Sequence, residues 1–151
     1  MKILDACCGS KMFWFDKENP DVTFMDIRQE NKIVYDKKIA VNPDVIGDFR
    51  NMPFADETFH LVVFDPPHLR WAGENSIMKA QYGELSPNWP DDIKKGFEEC
   101  FRVLKVNGTL IFKWSDVQIP LNKVLPLSPV TPLFGQKRSK THWLVFVKQV
   151  M

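Results

Sequence analysis

The sequence predicts an α/β fold built on a mostly parallel sheet with helices on both faces. Three observations predict it. Short apolar segments recur between turn signals, at 2–6, 22–26, 45–48, 59–64 and 109–114. The connections between them are too long for two-residue hairpin turns, as parallel neighbours require. The segment Phe59-His60-Leu61-Val62-Val63-Phe64 is almost continuously apolar, which suits a strand buried on both faces.

The bulk properties exclude several classes. A chain of 151 residues is long enough for one core, since folded chains of that size bury about 70% of their unfolded surface. With 44% hydrophobic and 26% charged residues it belongs with globular sequences. No apolar run approaches the roughly 18 residues of a membrane span, and Asp5 falls where a secretory leader would continue its apolar stretch. Cys7, Cys8 and Cys100 cannot all pair, and none sits at zinc-ligand spacing. A reducing cytoplasm fits, and no metal is implied. Residues 117–151 carry 5 basic residues and no acid, an asymmetry that admits a polyanionic partner or a mildly basic surface.

In order, 2–6 reads as a strand ending on an acid and small residues, followed by a turn at Cys8-Gly9-Ser10 and a short helical candidate at 11–15. Pro20-Asp21 marks a turn before strand 22–26. Alternation in 32–35 and 38–41 can make a hairpin or a helix. Strands at 45–48 and 59–64 follow. The stretch 68–90 is too long to be mere connection. The clearest helix is 91–105, with Ile93, Phe97, Cys100, Phe101 and Leu104 on one face, Asp91-Asp92 near its positive end and Asn107-Gly108 to stop it. Strand 109–114 follows, then a helical turn or two at 121–127 and β candidates at 130–134 and 143–148. No internal repeat or low-complexity segment divides the chain, so 1–151 reads as one domain.

In such sheets ligands bind outside the carboxyl ends of the strands, near the reversal of strand order. Asp5, Asp26, Asp48 and Asp65 all fall at strand ends and should converge on one edge. The first turn lacks the Gly-x-Gly-x-x-Gly of a pyrophosphate grip; only Gly9 is present. Asp26 has the spacing of an acid that takes both ribose hydroxyls. Asp48 offers an acceptor to an amino group, and Phe49 can flank a flat ring. Together these residues describe an adenosine pocket without phosphates.

Asp65-Pro66-Pro67-His68 closes the buried strand. An exocyclic amine on a nucleobase is a poor nucleophile, because its lone pair is delocalised into the ring. Two fixed acceptors on its hydrogens can pyramidalise it. The Asp65 carboxylate and the Pro66 carbonyl can be those acceptors, with proline's ring fixing the backbone and removing a competing donor. A flat ring at position 68 then stacks on the base.

On Asp5-Ala6-Cys7-Cys8-Gly9-Ser10, Asp26, Gly47-Asp48-Phe49 and Asp65-Pro66-Pro67-His68 the chain resembles the Rossmann-like class I S-adenosylmethionine-dependent methyltransferases, specifically those of adenine N6 or cytosine N4. The resemblance implies a seven-stranded sheet with the last strand antiparallel and S-adenosylmethionine as cofactor. It implies that Gly9 borders the methionine part, Asp26 the ribose and Asp48-Phe49 the adenine. Asp5, Ala6, Cys7 and Ile27 are further cofactor-binding candidates, and Asp65 is a candidate for both cofactor binding and catalysis. His68 departs from the usual Tyr, Phe or Trp, Cys7 stands where many relatives have Gly, and no separate target-recognition domain is visible. Sequence-specific recognition of a duplex would then need a homodimer, a separate subunit, or the 68–90 and 115–141 loops; Trp71 and Tyr82 in the long loop and Lys113-Trp114 at the end of strand 109–114 could stack a base and contact phosphate. The implied activity is methyl transfer to an amino nitrogen, foremost adenine N6 in DNA or RNA. A protein amide, a small amine, or a silent cofactor-binding subunit are the alternatives.

Overall fold

A computed structural model describes residues 1–73 and 76–150, apart from the side chains of Met78, Gln81 and Tyr82. The elements in chain order are β1 (Ile3–Asp5), β2 (Val22–Asp26), β3 (Glu30–Val34), β4 (Lys37–Val41), β5 (Val45–Ile46), β6 (Phe59–Phe64), α1 (Ile77–Tyr82), α2 (Trp89–Val103), β7 (Leu104–Ser115), α3 (Leu121–Val124), β8 (Phe134–Gly135) and β9 (Thr141–Val147). Seven strands form one sheet in the order β5-β2-β1-β6-β7-β9-β8. β1, β2, β5, β6 and β7 run parallel, and β9 is antiparallel between β7 and β8. The chain winds outward from β1 through β2 to β5, then returns to β6 on the other side of β1. That reversal opens a crevice above the ends of β1 and β6.

α2 forms where the sequence places it, two residues earlier at each end. Pro90 occupies its first turn, where a missing N–H costs nothing, and Asp91 and Asp92 face the positive end. It ends at Val103 because Leu104 turns extended and pairs with Phe59 of β6. Tertiary pairing outcompetes the helix there, so β7 starts well before the expected Thr109. Between β2 and β5 the chain makes the β3–β4 hairpin, with Tyr35 and Asp36 both at positive φ, as a tight two-residue turn requires. Residues 11–15 are turns, not the expected helix. Five residues cannot offset the cost of nucleating one, Lys11 sits at φ 59°, and the Trp14 indole is drawn to Asp5.

Strand alternation sorts the side chains onto two faces. Leu4, Met25, Val62, Phe64, Leu110, Phe112, Leu144 and Phe146 meet Ile93, Phe97, Cys100 and Phe101 of α2 in the main core. Each of these larger side chains contributes about 1.5–3 kcal/mol by leaving water. Opposite lie Val22 and Phe24 with Trp14 against them, and Phe13 meets Trp143 edge-on at 5.3 Å. α1 rests on the hairpin through Ile77 and Ala80 against Val34 and Ile39. Among the described residues no helix is long and apolar enough to cross a membrane.

Candidate functional site

Asp5 and Asp26 end β1 and β2, while Asp48 and Asp65 follow β5 and β6 directly or within two residues, so all four stand on one rim. Asp5 is in register with Val63, which carries Asp65 about two residues, roughly 7 Å, further out beside it. Asp5, Asp26 and Asp65 are buried. Buried carboxylates demand donors or a proton. Asp5 accepts the Trp14 indole N–H at 2.7 Å and the Cys7 N–H at 3.3 Å. Burial still pushes it up to about 7, helped by the neighbouring Asp65 and opposed by Trp14. Asp65 is pushed up to about 6 by burial, against the Lys113 ammonium 3.4 Å from its Oδ2.

Beside this pair lies a cavity of about 270 Å³, walled by Ala6, Cys7, Asp26, Ile27, Asp48 and Phe49, and lined also by Arg28, Arg50, Pro67, Leu85, Ser86 and Asp92 among others. Asp26 is held rigidly: its Oδ2 accepts the Gly9 N–H at 2.9 Å, and its Oδ1 accepts the Arg28 backbone N–H at 3.0 Å and Nε–H at 3.3 Å. Gly9 reaches it at φ 50°, in the left-handed region that favours glycine. Arg28 also donates to the Ala80 carbonyl at 2.9 Å, which ties the rim to α1. At the other end Arg50 donates to both oxygens of Asp48, the shortest contact 2.6 Å, and to Asp92 at 3.2 Å; Ser86 donates to Asp92 at 2.8 Å. The Arg50 guanidinium holds the Asp48 carboxyl below its usual range. Phe49 packs edge-on against Phe64 at 5.3 Å and presents a flat apolar wall.

Six of the expected cofactor residues therefore line one cavity, with Gly9 behind Asp26, while Asp5 and Asp65 form a separate buried cluster next to it. Pro66 and His68 are buried and Pro67 reaches the cavity. Burial lowers His68 to about 4, with the Lys113 charge adding to the effect, so its ring is neutral at physiological pH. It stands edge-on to Trp114 at 6.4 Å. The expectation for Trp114 is corrected: it is 1% exposed, donates its indole N–H to the Ile119 carbonyl at 2.8 Å, and belongs to the core. Lys113 meets Asp65 instead of solvent. Trp71 is exposed, and the side chain of Tyr82 lies outside the described residues. The sequence reading missed Arg28, Arg50, Ser86 and Asp92. Arg50 and Asp92 are 42 positions apart, so nothing local announces their meeting.

No protein-family model matches the chain, and no curated protein matches it in sequence. Solved structures do match in shape. The PH0226 protein of Pyrococcus horikoshii superposes with TM-score 0.66 at 17% identity, over 98% of this chain and 82% of that one. The fold is that of the class I methyltransferases. A S-adenosylmethionine-dependent methyltransferase of Methanosarcina mazei gives TM-score 0.59 at 14% identity over 99% and 93% of the two chains. The 1,6-didemethyltoxoflavin-N1-methyltransferase of Burkholderia thailandensis, solved with bound 1,6-didemethyltoxoflavin and S-adenosylhomocysteine, gives 0.53 at 11% over 98% and 71%.

Proposed function

We propose that this chain transfers a methyl group from S-adenosylmethionine to an exocyclic amino nitrogen, foremost adenine N6 of a nucleic acid. The carrying observation is that Asp65, at the end of the central strand β6, stands beside Asp5 while Pro67 of the same turn lines the Asp26–Asp48–Phe49 cavity.

The residues fit the cofactor. A deeply buried carboxylate fixed by three donors suits a ribose hydroxyl, since Asp26 Oδ2 accepts only the Gly9 N–H and keeps a lone pair for it. Phe49, Ile27 and Leu85 give apolar walls for a purine, and Asp48 and Ser86 supply polar edges. Two raised carboxylates at Asp5 and Asp65 form an acidic corner suited to a cationic sulfonium. When bound, S-adenosylmethionine supplies a methyl group on a cationic sulfur that keeps the electron pair of the broken bond.

The chain's own residues would do the rest. Asp65 Oδ2 already receives an N–H donor, the Lys113 ammonium, and a substrate amine would bring a donor of the same kind. With the Pro66 carbonyl as second acceptor, the amine is held pyramidal with its lone pair toward the methyl. Asp65, titrating near 6, then accepts the proton that the new N–CH3 bond displaces and passes it to water. Burial excludes competing nucleophiles, and rate comes from positioning. One neighbour of this fold is an N1-methyltransferase, which keeps nitrogen transfer within reach of this scaffold.

Incubation with methyl-labelled S-adenosylmethionine and, separately, DNA, RNA and a protein extract tests the reading. Label recovered as N6-methyladenine supports it; label entering only protein, or none despite measured cofactor binding, overturns it. Asp65→Ala should abolish transfer and keep affinity for S-adenosylhomocysteine, which lacks the sulfonium charge, within about threefold, whereas retained turnover would remove Asp65 from the mechanism.

A further inference from the structure

Beyond the acidic rim, the strongest unassigned feature is an exposed tryptophan held by a side chain from another part of the chain. Trp71 is 68% exposed, an unusual setting for the largest apolar ring. Its backbone is fixed by Gln118, whose Oε1 accepts the Arg70 N–H at 2.6 Å and the Trp71 N–H at 2.9 Å, and whose Nε2 donates to the Trp71 carbonyl at 2.7 Å. The assignment is unambiguous, because the flipped amide would face N–H groups with its own N–H. Gln118 is itself anchored. Its neighbour Ile119 takes the buried Trp114 indole N–H at 2.8 Å, and Asp116 accepts the Leu121 N–H at 2.8 Å. The Arg70 guanidinium lies 5.5 Å from the Trp71 ring, within cation–π range.

The core gains little from an exposed ring, yet three hydrogen bonds fix the backbone that carries it. Residues 70–71 follow β6 and Gln118 follows β7, so both segments leave the sheet at the edge where Asp65 stands, with Trp71 six positions after Asp65 in the chain. A largely exposed ring with a guanidinium over it matches an unpaired nucleobase with its phosphate. Base–aromatic stacking tolerates any base, and arginine contacts phosphate without reading sequence. A duplex hides its base faces, so this feature favours a single strand.

We propose that Trp71 and Arg70 form a stacking platform for an unpaired base flanking the target, in a single-stranded nucleic acid. The substrate class rests on the proposed amino-methyl transfer, but the platform is testable without it. Oligo(dT) carries no exocyclic amine and cannot be methylated there, so its binding reports on the platform alone. The wild-type chain should bind oligo(dT) more tightly than a dA·dT duplex at low salt. Trp71→Ala should weaken oligo(dT) binding between about five- and a hundredfold, and Trp71→Phe should recover most of that loss. Gln118→Ala should weaken it less, by loosening the backbone. S-adenosylhomocysteine affinity should not change in any variant, which shows the fold intact. Comparing oligo(dT) with oligo(U) tells DNA from RNA. No binding by the wild type, equal binding of duplex, or an unchanged Trp71→Ala affinity would overturn the platform. Binding that depends on Trp71 in a protein that never methylates adenine would keep the platform and refute the proposed reaction.

Discussion

Lys113 holds its ammonium 3.4 Å from Asp65 Oδ2, with the two side chains only 17% and 4% exposed. β6 and β7 pair Phe64 with Phe112, so the next residues on each strand meet across the rim. The ammonium lowers Asp65 against the upward push of burial, leaving it near 6. Lys113→Met removes that lowering influence. The acidic limb of the methyl-transfer pH profile should therefore move to higher pH, with the plateau reached above neutrality. The variant should also lose stability at pH 8, by a few kcal/mol, because a carboxylate is left buried without its partner. At pH 5 the loss should be smaller, since the carboxyl can then hold its proton. An unmoved acidic limb would separate Asp65 from the rate.

Gly96 lies on α2 where a Cβ would come within 2.5 Å of the Phe64 Cζ and 2.8 Å of the Phe49 Cδ1. Alanine would favour the helix by about 1 kcal/mol on propensity alone. Two packed rings cannot yield as a flexible chain end can, and Phe64 is wholly buried. Gly96→Ala should thus lower Tm and drive Phe49 toward the cavity it lines. The accompanying fall in S-adenosylhomocysteine affinity, about tenfold by calorimetry, would tie helix packing to the pocket; unchanged affinity with lowered Tm would untie them.

These contacts explain what was legible in the sequence. Burial on both faces dictates the apolar composition of β6 directly, and the order Asp5, Asp26, Asp48, Phe49 locates one rim because parallel strands all finish on the same side. The hairpin β3–β4 stayed open because its turn, Tyr35-Asp36, carries no Gly and its strands alternate over only a few residues. The helical pattern at 11–15 was too short to nucleate. Lys113 and Trp114 looked alike as rim residues, yet strand alternation sends them to opposite faces: Leu110, Phe112 and Trp114 share the core, and only Lys113 turns toward Asp65. That signal was present in the sequence. The Asp48–Arg50–Asp92–Ser86 network was not, since it joins segments that approach only after the sheet and α2 have packed.

Asp5 is wholly inaccessible, and burial first, then Asp65, pushes it up to about 7 despite the Trp14 and Cys7 donors. Unfolded, it titrates near 3.9. Between these values the folded chain keeps a proton that the unfolded chain has released, so stability falls as pH rises across roughly pH 4 to 7. Asp5→Asn removes the charge, keeps an oxygen for the Trp14 indole, and gives up the longer Cys7 bond. Thermal denaturation should find the variant level with the wild type near pH 4 and more stable at pH 8, by a few kcal/mol at most. Parallel pH profiles for the two proteins would show that Asp5 does not carry this dependence.

His142 supplies a slope of the same sign at higher pH. Its side chain is 3% exposed, with Nδ1 2.7 Å from the Gln136 carbonyl and Nε2 2.8 Å from Asp116 Oδ2. Both neighbours only accept, so both ring nitrogens must carry hydrogen for the two bonds to exist together. Burial works against the imidazolium, but Asp116 and the Gln136 carbonyl outweigh it and raise the ring above its usual range. A raised folded value means that the stabilisation is fully present below about pH 6.5 and is lost as pH climbs through the raised value. The link joins the end of β7 to the turn before β9, so its loss should loosen that turn first. Proton NMR of the His142 ring should give a midpoint above 6.5, and amide exchange at 136–141 should accelerate as pH passes it, beyond the general rise in intrinsic exchange. Asp116→Asn should lower the midpoint and lower Tm by a few degrees at pH 6, with little effect at pH 9; a midpoint unmoved by that substitution would assign the raised value elsewhere.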